Sequence, residues 1–205
     1  MPVGWRLQRL PDDPAAAVLH RERDGAALTV IAGRQVITAE RIEVLALATV
    51  RRFRDGCPAG ELLAELWEAG IPAVLPWGVG KWLGRRGRLV AELLHVQAGP
   101  GLFLGDNAGR PRVWPTPALF RQRPVLPGSD PLPVPGAEVG AGGYGFALEG
   151  RLDQGRPATD LRARLMALTG NPRVTGGRRG LVAVLAEQFA LRRMKHKRRR
   201  QKSAE

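Results

Sequence analysis

Three short polar segments of the chain combine charged side chains with glycine or proline, a composition suited to anion binding and acid–base chemistry. The first spans residues 77–87 (WGVGKWLGRRG). Glycines let backbone N–H groups approach an anion closely, and a helix that starts nearby adds its dipole. The predicted anion-binding residues of this segment are Gly78, Gly80, Lys81, Arg85 and Arg86. The alternative is a plain tight turn, with Trp77 and Trp82 packed over the core.

The other two polar segments supply carboxylates. Segment 105–112 (GDNAGRPR) contains Asp106, and segment 127–131 (PGSDP) contains Asp130. Both aspartates are candidate catalytic acids or bases, and Asp130 is also a candidate metal ligand. Further candidate anion-binding residues are Asn107, Arg110, Arg112 and Ser129. Asp, Asn and Ser are equally common as turn caps, so a purely structural role remains open for each segment.

Two common nucleotide-binding motifs do not fit the first polar segment. A P-loop ending at Lys81 would need glycine at position 75 and Ser or Thr at position 82, where the chain has leucine and tryptophan. A dinucleotide-binding fingerprint starting at Gly78 would need its third glycine at position 83, where the chain has Leu83. The three histidines are scattered along the chain, which disfavours a histidine-built metal centre.

The elements that must position these segments follow an alternating pattern. Short apolar runs, typical of buried strands, occur at 27–32, 33–38, 42–48, 72–77, 101–105, 124–126 and 144–148. Helical patterns occur from Pro58 to Gly70 and over 81–96, 115–121, 157–168 and from 180 onward. This alternation predicts an α/β fold with a mainly parallel sheet. The three polar segments would then lie at the carboxyl ends of strands, on one rim.

The C-terminal tail carries a large share of the positive charge. The chain has 205 residues and a net charge of +13, and eight of its basic residues lie between Arg192 and Lys202. Such a run is either a solvated tail or a non-specific contact for nucleic-acid phosphates. We therefore divide the chain into a weakly patterned N-terminal segment (1–26), an α/β domain (27–191) and a basic tail (192–205).

The remaining composition points to the cytoplasm and away from membranes. No apolar run approaches the roughly 18 residues of a membrane span, and the first ten residues lack the apolar core of a signal peptide. Cys57 is the single cysteine, so an internal disulfide is excluded and a reducing compartment is expected. We expect a cytoplasmic protein without a membrane partner.

Four segments together resemble the PHP (polymerase and histidinol phosphatase) metallohydrolases. They are 33–36 (GRQV), 43–47 (EVLAL), 74–76 (VLP) and 125–130 (VLPGSD), and the resemblance covers about residues 28–150. It implies a partial or distorted β/α barrel, a site for divalent metal (Mn, Zn or Fe), and a phosphorylated small molecule as substrate. The last segment is similar to the family's final metal-ligand strand, which assigns Asp130 as a ligand.

The sequence departs from the family at most metal-ligand positions. Gln35, Glu43, Leu75 and Leu132 stand where the family has other ligands, and only Asp130 matches. Metal binding needs several ligands on one ion. The resemblance therefore implies a phosphoesterase descendant with reduced or lost hydrolase activity and a retained anion-binding rim. The alternative is a non-enzymatic module that binds nucleic acid or a phosphorylated partner through the rim and the tail.

Overall fold

A computed structural model describes residues 3–78, 80–96 and 99–202, with side chains described throughout except at 195 and 197–202. The described residues form three β-sheets and four α-helices. The strands are β1 Trp5–Arg9, β2 Ala16–Arg21, β3 Ala27–Ile31, β4 Gly33–Ile37, β5 Glu43–Leu47, β6 Ala73–Pro76, β7 Leu102–Asn107, β8 Val125–Gly128, β9 Tyr144–Ala147 and β10 Arg173–Gly176. The α-helices are α1 Ala59–Glu68, α2 Gly84–Val96, α3 Pro157–Met166 and α4 Leu181–Lys202. Two short 3-10 helices span Ala118–Arg121 and Ala137–Gly140.

Five strands form the central sheet, in the order β4-β5-β6-β7-β8. The β4–β5 and β5–β6 pairs are antiparallel, and the β6–β7 and β7–β8 pairs are parallel. The two smaller sheets are antiparallel throughout. The predicted partial or distorted β/α barrel with a mainly parallel sheet is therefore wrong: the described chain has three separate sheets, mostly antiparallel, and no closed barrel.

Strands β5 and β6 are antiparallel because the loop between β5 and α1, and not α1 itself, brings the chain back to the end of the sheet where β5 starts. After β5, residues 48–57 run back along the sheet, so that Asp55 accepts a hydrogen bond from Ile37 N at the far end of β4. The Gly56 N–H also donates to Ile37 O at 2.7 Å. Helix α1 then runs in the same direction as β5. Strand β6 therefore starts beside the end of β5 and runs antiparallel to it. A helical pattern between two strands therefore did not guarantee a parallel crossover.

The central sheet buries apolar side chains on both faces. One face packs against α1 and α2 through residues such as Leu62, Leu66 and Val90. The other face carries Phe103 and packs against Leu165 of α3. Helix α1 begins after Pro58 as expected, and Gly70, with φ +61°, ends it in the left-handed region that favours glycine.

Several predicted details of the helices differ from the structure. Helix α2 begins at Gly84, so Lys81 belongs to the preceding turn. Trp67 of α1 and Leu83 in the turn before α2 are exposed, although both belong to the apolar part of the predicted helical segments. None of the helices in the described ranges combines the length and apolar character that a membrane span requires.

The N-terminal segment contains structure that the sequence pattern did not indicate. Strands β1 and β2 pair with β3 in an antiparallel three-stranded sheet. The prediction that 27–32 forms a buried strand is wrong with respect to burial, because β3 is almost wholly exposed. One face of this sheet packs against α3, and Asp13 joins the two by accepting hydrogen bonds at the start of that helix.

Candidate functional site

The carboxyl ends of the parallel strands open into a cleft of about 550 Å³. Each of the three polar segments contributes to its lining: Gly78 and Lys81 follow β6, Asn107 and Gly109 come at the end of β7, and Asp130 follows β8. The register explains this proximity, since Pro76 pairs with Gly105 and Asn107 pairs with Gly128. The cleft therefore lies at the edge where parallel strands of α/β proteins commonly place ligands.

Two indole rings form the apolar floor of the cleft. Trp77 and Trp114 contact each other edge to face, with centroids 6.1 Å apart and ring planes at 65°. Trp77 is buried, whereas Trp114 is 42% exposed. Asn107 Nδ2 donates to Trp77 O at 3.0 Å and fixes the end of β7 against this floor.

Helix α4 forms the outer wall of the cleft. Its residues Leu181, Val184, Leu185, Gln188 and Leu191 recur at helical spacing and all line the cleft. Of these, Val184 is buried, at 6% exposure, so the helix is attached through few contacts. The Arg179–Glu187 ion pair holds the first turns of α4 to the preceding loop.

Asp106, a candidate catalytic residue, is fully engaged in a buried network. Arg110 Nε donates to Oδ1 at 2.7 Å and its Nη2 donates to Oδ2 at 2.6 Å. The Tyr144 hydroxyl also donates to Oδ2, at 2.8 Å. Asp106 is 6% and Arg110 3% exposed, and neither lines the cleft. Here the carboxylate neutralises a buried guanidinium, and its removal would leave a buried charge unpaired.

Tyr144 reports the electrostatics of this network. Burial of the phenol, together with its hydrogen bond to the Asp106 carboxylate, raises the pKa of Tyr144 from 10.0 to about 12. Both effects disfavour a tyrosinate, because a second negative charge would be desolvated beside the first. The phenol therefore acts as a hydrogen-bond donor to Asp106 at neutral pH.

Asp130, the other candidate catalytic and metal-binding residue, is placed differently. It lines the cleft and is exposed, and within the described residues its side chain makes no hydrogen bond and no ion pair. Its φ of +41° lies in the left-handed region that Asp and Asn tolerate better than most residues. Asp106 and Asp130 therefore do not form a pair of facing carboxylates.

Most of the predicted anion-binding cations are not brought together. Lys81 lines the cleft, but its Nζ lies 2.6 Å from Glu43 Oε1. Arg86 donates to Gly80 O, and Arg112 donates to Arg178 O. Gly80, Arg85, Arg86, Arg110, Arg112 and Ser129 are not among the residues that line the cleft. Ser129 Oγ instead accepts a hydrogen bond from Gly142 N.

The donor set does not fit the divalent metal that the family resemblance implies. Within the described ranges, no three His, Cys, Asp or Glu side chains are grouped so that they could hold a metal ion. Asp106 has its oxygens occupied by Arg110 and Tyr144, which leaves Asp130 as a single candidate ligand. One carboxylate does not make a closed coordination shell.

Reasoning from the sequence missed the contribution of α4 and of Trp114 to the cleft. The apolar spacing of Leu181, Val184, Leu185 and Leu191 was visible in the sequence and could have indicated a helix face directed at the domain. Trp114 gave no such indication, because it lies in an irregular segment without periodicity.

Comparison of the chain with protein-family models, with curated proteins and with solved structures gave no significant match. The resemblance to PHP metallohydrolases therefore stays a prediction from short segments.

Proposed function

We propose that the protein is a non-catalytic module that binds the phosphate backbone of nucleic acid through the basic half of α4. We define this basic half as residues Arg192–Lys202. The observation that carries the proposal is uncompensated charge on a continuous helix. The segment contains eight basic residues, and the chain has no acidic residue between Glu187 and Glu205.

The helical backbone of α4 sets the spacing of these basic residues. Helix α4 continues to Lys202, so the eleven residues of the basic half span about 16 Å at 1.5 Å per residue. The basic positions occur on all sides of the helix, since successive residues are rotated by about 100°. Arg192 and Arg193 are exposed. Basic positions spaced along a helix in this way suit contact with the phosphates of a polyanion.

The first half of α4 explains how so charged a segment can be helical. A helix of about eleven residues is marginal in water by itself, because its first turn is costly to form. Here the basic half extends a helix whose first turns are held by Val184 and by the Arg179–Glu187 ion pair. The anchored turns supply the nucleus from which the basic half propagates.

A hydrolytic function receives less support from the site. Asp106 is enclosed by Arg110 and Tyr144, and Lys81 is paired with Glu43. A binding role that depends on charge density requires neither a metal site nor a free acid–base pair.

The proposal is tested by the salt dependence of binding to a short mixed-sequence DNA duplex. The variant R199Q/R200Q removes two charges from the basic half while keeping good helix formers. We expect the slope of log affinity against log salt to fall by about 1.8, at about 0.9 per lost phosphate contact. The measurement is fluorescence anisotropy over a series of salt concentrations.

The matched control is R85Q/R88Q, which removes two exposed arginines from α2. The control has the same net charge as R199Q/R200Q, so an effect of net charge alone would change the slope of log affinity against log salt equally in both variants. We expect the control to keep the wild-type slope. Equal slopes for all three proteins, or an equal loss in both variants, would overturn the assignment to α4.

A further inference from the structure

We propose that the cleft binds a small organic cation with an apolar or aromatic body. The proposal is independent of nucleic-acid binding, because it rests on the cleft floor and Asp130 and not on the basic half of α4. The volume of about 550 Å³ falls within the range of roughly 300–1,000 Å³ that small-molecule sites occupy.

The walls of the cleft suit an apolar ligand body. Trp77 and Trp114 form the floor, and Leu132 and the apolar stripe of α4 face it. Protein interiors normally leave few voids larger than a water molecule. The space between α4 and the rest of the domain is much larger, so α4 does not pack tightly there. The gap between two apolar surfaces therefore has the character of a binding cavity.

Asp130 supplies the charge that selects a cation. It is a carboxylate on the cleft lining whose side chain has no hydrogen bond and no ion pair within the described residues. The other two carboxylates on the lining are already neutralised, Glu43 by Lys81 and Glu187 by Arg179. An ammonium group could thus pair with Asp130 without displacing an existing partner.

The Trp114 indole favours the same chemistry. Indole faces attract cations more strongly than those of the other aromatic side chains. Trp114 lines the cleft and is 42% exposed, whereas Trp77 is buried and contacts it edge to face. Arg192 is the one lining cation without a described partner, and it is exposed near the end of the α4 stripe. An anionic ligand held by Arg192 is therefore the competing outcome.

Three probes of nearly equal size and different charge distinguish these outcomes. They are phenethylammonium, phenethyl alcohol and phenylacetate, each titrated into the full chain and followed by calorimetry and by quenching of tryptophan fluorescence. We expect the ammonium to bind about two- to fivefold more tightly than the alcohol, the usual gain from an ion pair with an exposed carboxylate. We expect phenylacetate to bind most weakly.

Asp130→Asn tests the role of the carboxylate with little risk to folding. Asparagine has nearly the same shape and tolerates the left-handed backbone at this position. We expect the variant to bind the ammonium and the alcohol equally. Asp12→Asn, which removes an exposed carboxylate in the N-terminal part of the chain, should keep the wild-type preference.

Three results would overturn the proposal. They are tighter binding of phenylacetate than of the ammonium, equal binding of all three probes, and no detectable binding of any probe at concentrations of about 1 mM, corresponding to a binding free energy weaker than about −4 kcal/mol. Retention of the ammonium preference in Asp130→Asn would also contradict the assigned carboxylate.

Discussion

At the residue scale, Asp106 illustrates how a residue type common in catalysis can be engaged in a buried hydrogen-bond network. Its position at the end of a strand, beside Asn107 and two arginines, is typical of an active-site carboxylate. The structure instead surrounds it with Arg110 and Tyr144, each within 2.8 Å of a carboxylate oxygen. The sequence indicated neither contact, because Arg110 lies in the turn after β7 and not on a helix with Asp106, and Tyr144 comes from a distant strand. Only the folded chain shows that all three side chains satisfy one another.

The titration of Tyr144 provides a direct test of this network. Tyr144 is the only tyrosine in the chain, so tyrosinate absorbance reports this residue alone. We expect a midpoint near the value of about 12 that burial and Asp106 produce, compared with about 10 in urea-unfolded protein. Because the folded pKa is the higher one, the stability conferred by the neutral phenol is complete below pH 10 and is lost as the pH rises toward 12.

Asp106→Asn is the control for the source of the shift. The amide keeps an acceptor for the phenol but removes the negative charge and leaves the Arg110 guanidinium unpaired. Both changes should move the midpoint toward 10, while burial keeps it raised. A wild-type midpoint near 10 in the folded protein would show that Tyr144 is not enclosed in the way described.

At the scale of elements, the sequence indicated most of the central sheet but not its direction. Continuous apolar runs located β5, β6, β7 and β8, because strands buried on both faces have few polar residues. The direction of β6 relative to β5 depends on the return of residues 48–57 beside β4, which hydrogen bonds such as that from Gly56 N to Ile37 O fix. No local pattern encodes that path. Strands β1 and β2 were missed because they bury few side chains, so their residues show no clear alternation of apolar and polar types.

The candidate site was predictable in part for the same reason. Gly78, Asn107 and Asp130 line one cleft because each lies at or just beyond the end of a strand in the parallel part of the sheet. The cations expected beside them lie in helices and turns and not at strand ends. Arg85, for example, lies on the exposed surface of α2. Strand ends are set by register, whereas the directions of long side chains in loops depend on neighbours that no local pattern identifies.

The junction between the N-terminal sheet and α3 is held by Asp13. Its buried carboxylate accepts hydrogen bonds from Ala158 N at 2.6 Å and from Thr159 N and Oγ1 at 3.3 Å each, at the start of α3. The helix has no capping side chain of its own at Arg156, so Asp13 acts as a cap from a distant part of the chain. We expect Asp13→Ala to lower the free energy of unfolding in urea by about 2 kcal/mol, the cost of buried donors left unpaired.

Asp12→Ala is the matched control, because Asp12 is an exposed neighbour in the same turn. Its effect should stay within about 0.5 kcal/mol, as is usual for surface substitutions. Equal effects of the two substitutions would show that the cap contributes nothing to stability.

At the scale of the whole molecule, charge and fold are largely separate along the chain. The buried apolar residues extend from Leu10 to Val184, whereas the longest basic run begins at Arg192. Helix α4 connects the two, with one end on the cleft and the other carrying the charge. Within the basic half, Arg192 alone lines the cleft, so the rest of the proposed nucleic-acid contact is separate from the proposed ligand site, whose floor belongs to the central sheet and its loops.

Truncation at two points of α4 tests this separation. A chain ending at Leu191 loses the basic half but keeps Val184 and the Arg179–Glu187 ion pair, so we expect its Tm to stay within about 2 °C of the full chain.

A chain ending at Gly180 also uncovers the cleft floor, exposes apolar surface and leaves Arg179 without Glu187. The loss of one buried valine corresponds to about 1.5–3 kcal/mol, or a fall in Tm of about 3–12 °C. Scanning calorimetry of the three chains distinguishes these effects. A large fall in Tm for the chain ending at Leu191 would mean that the basic half contributes to the folded core, and the assignment of α4 to two separate tasks would then be wrong.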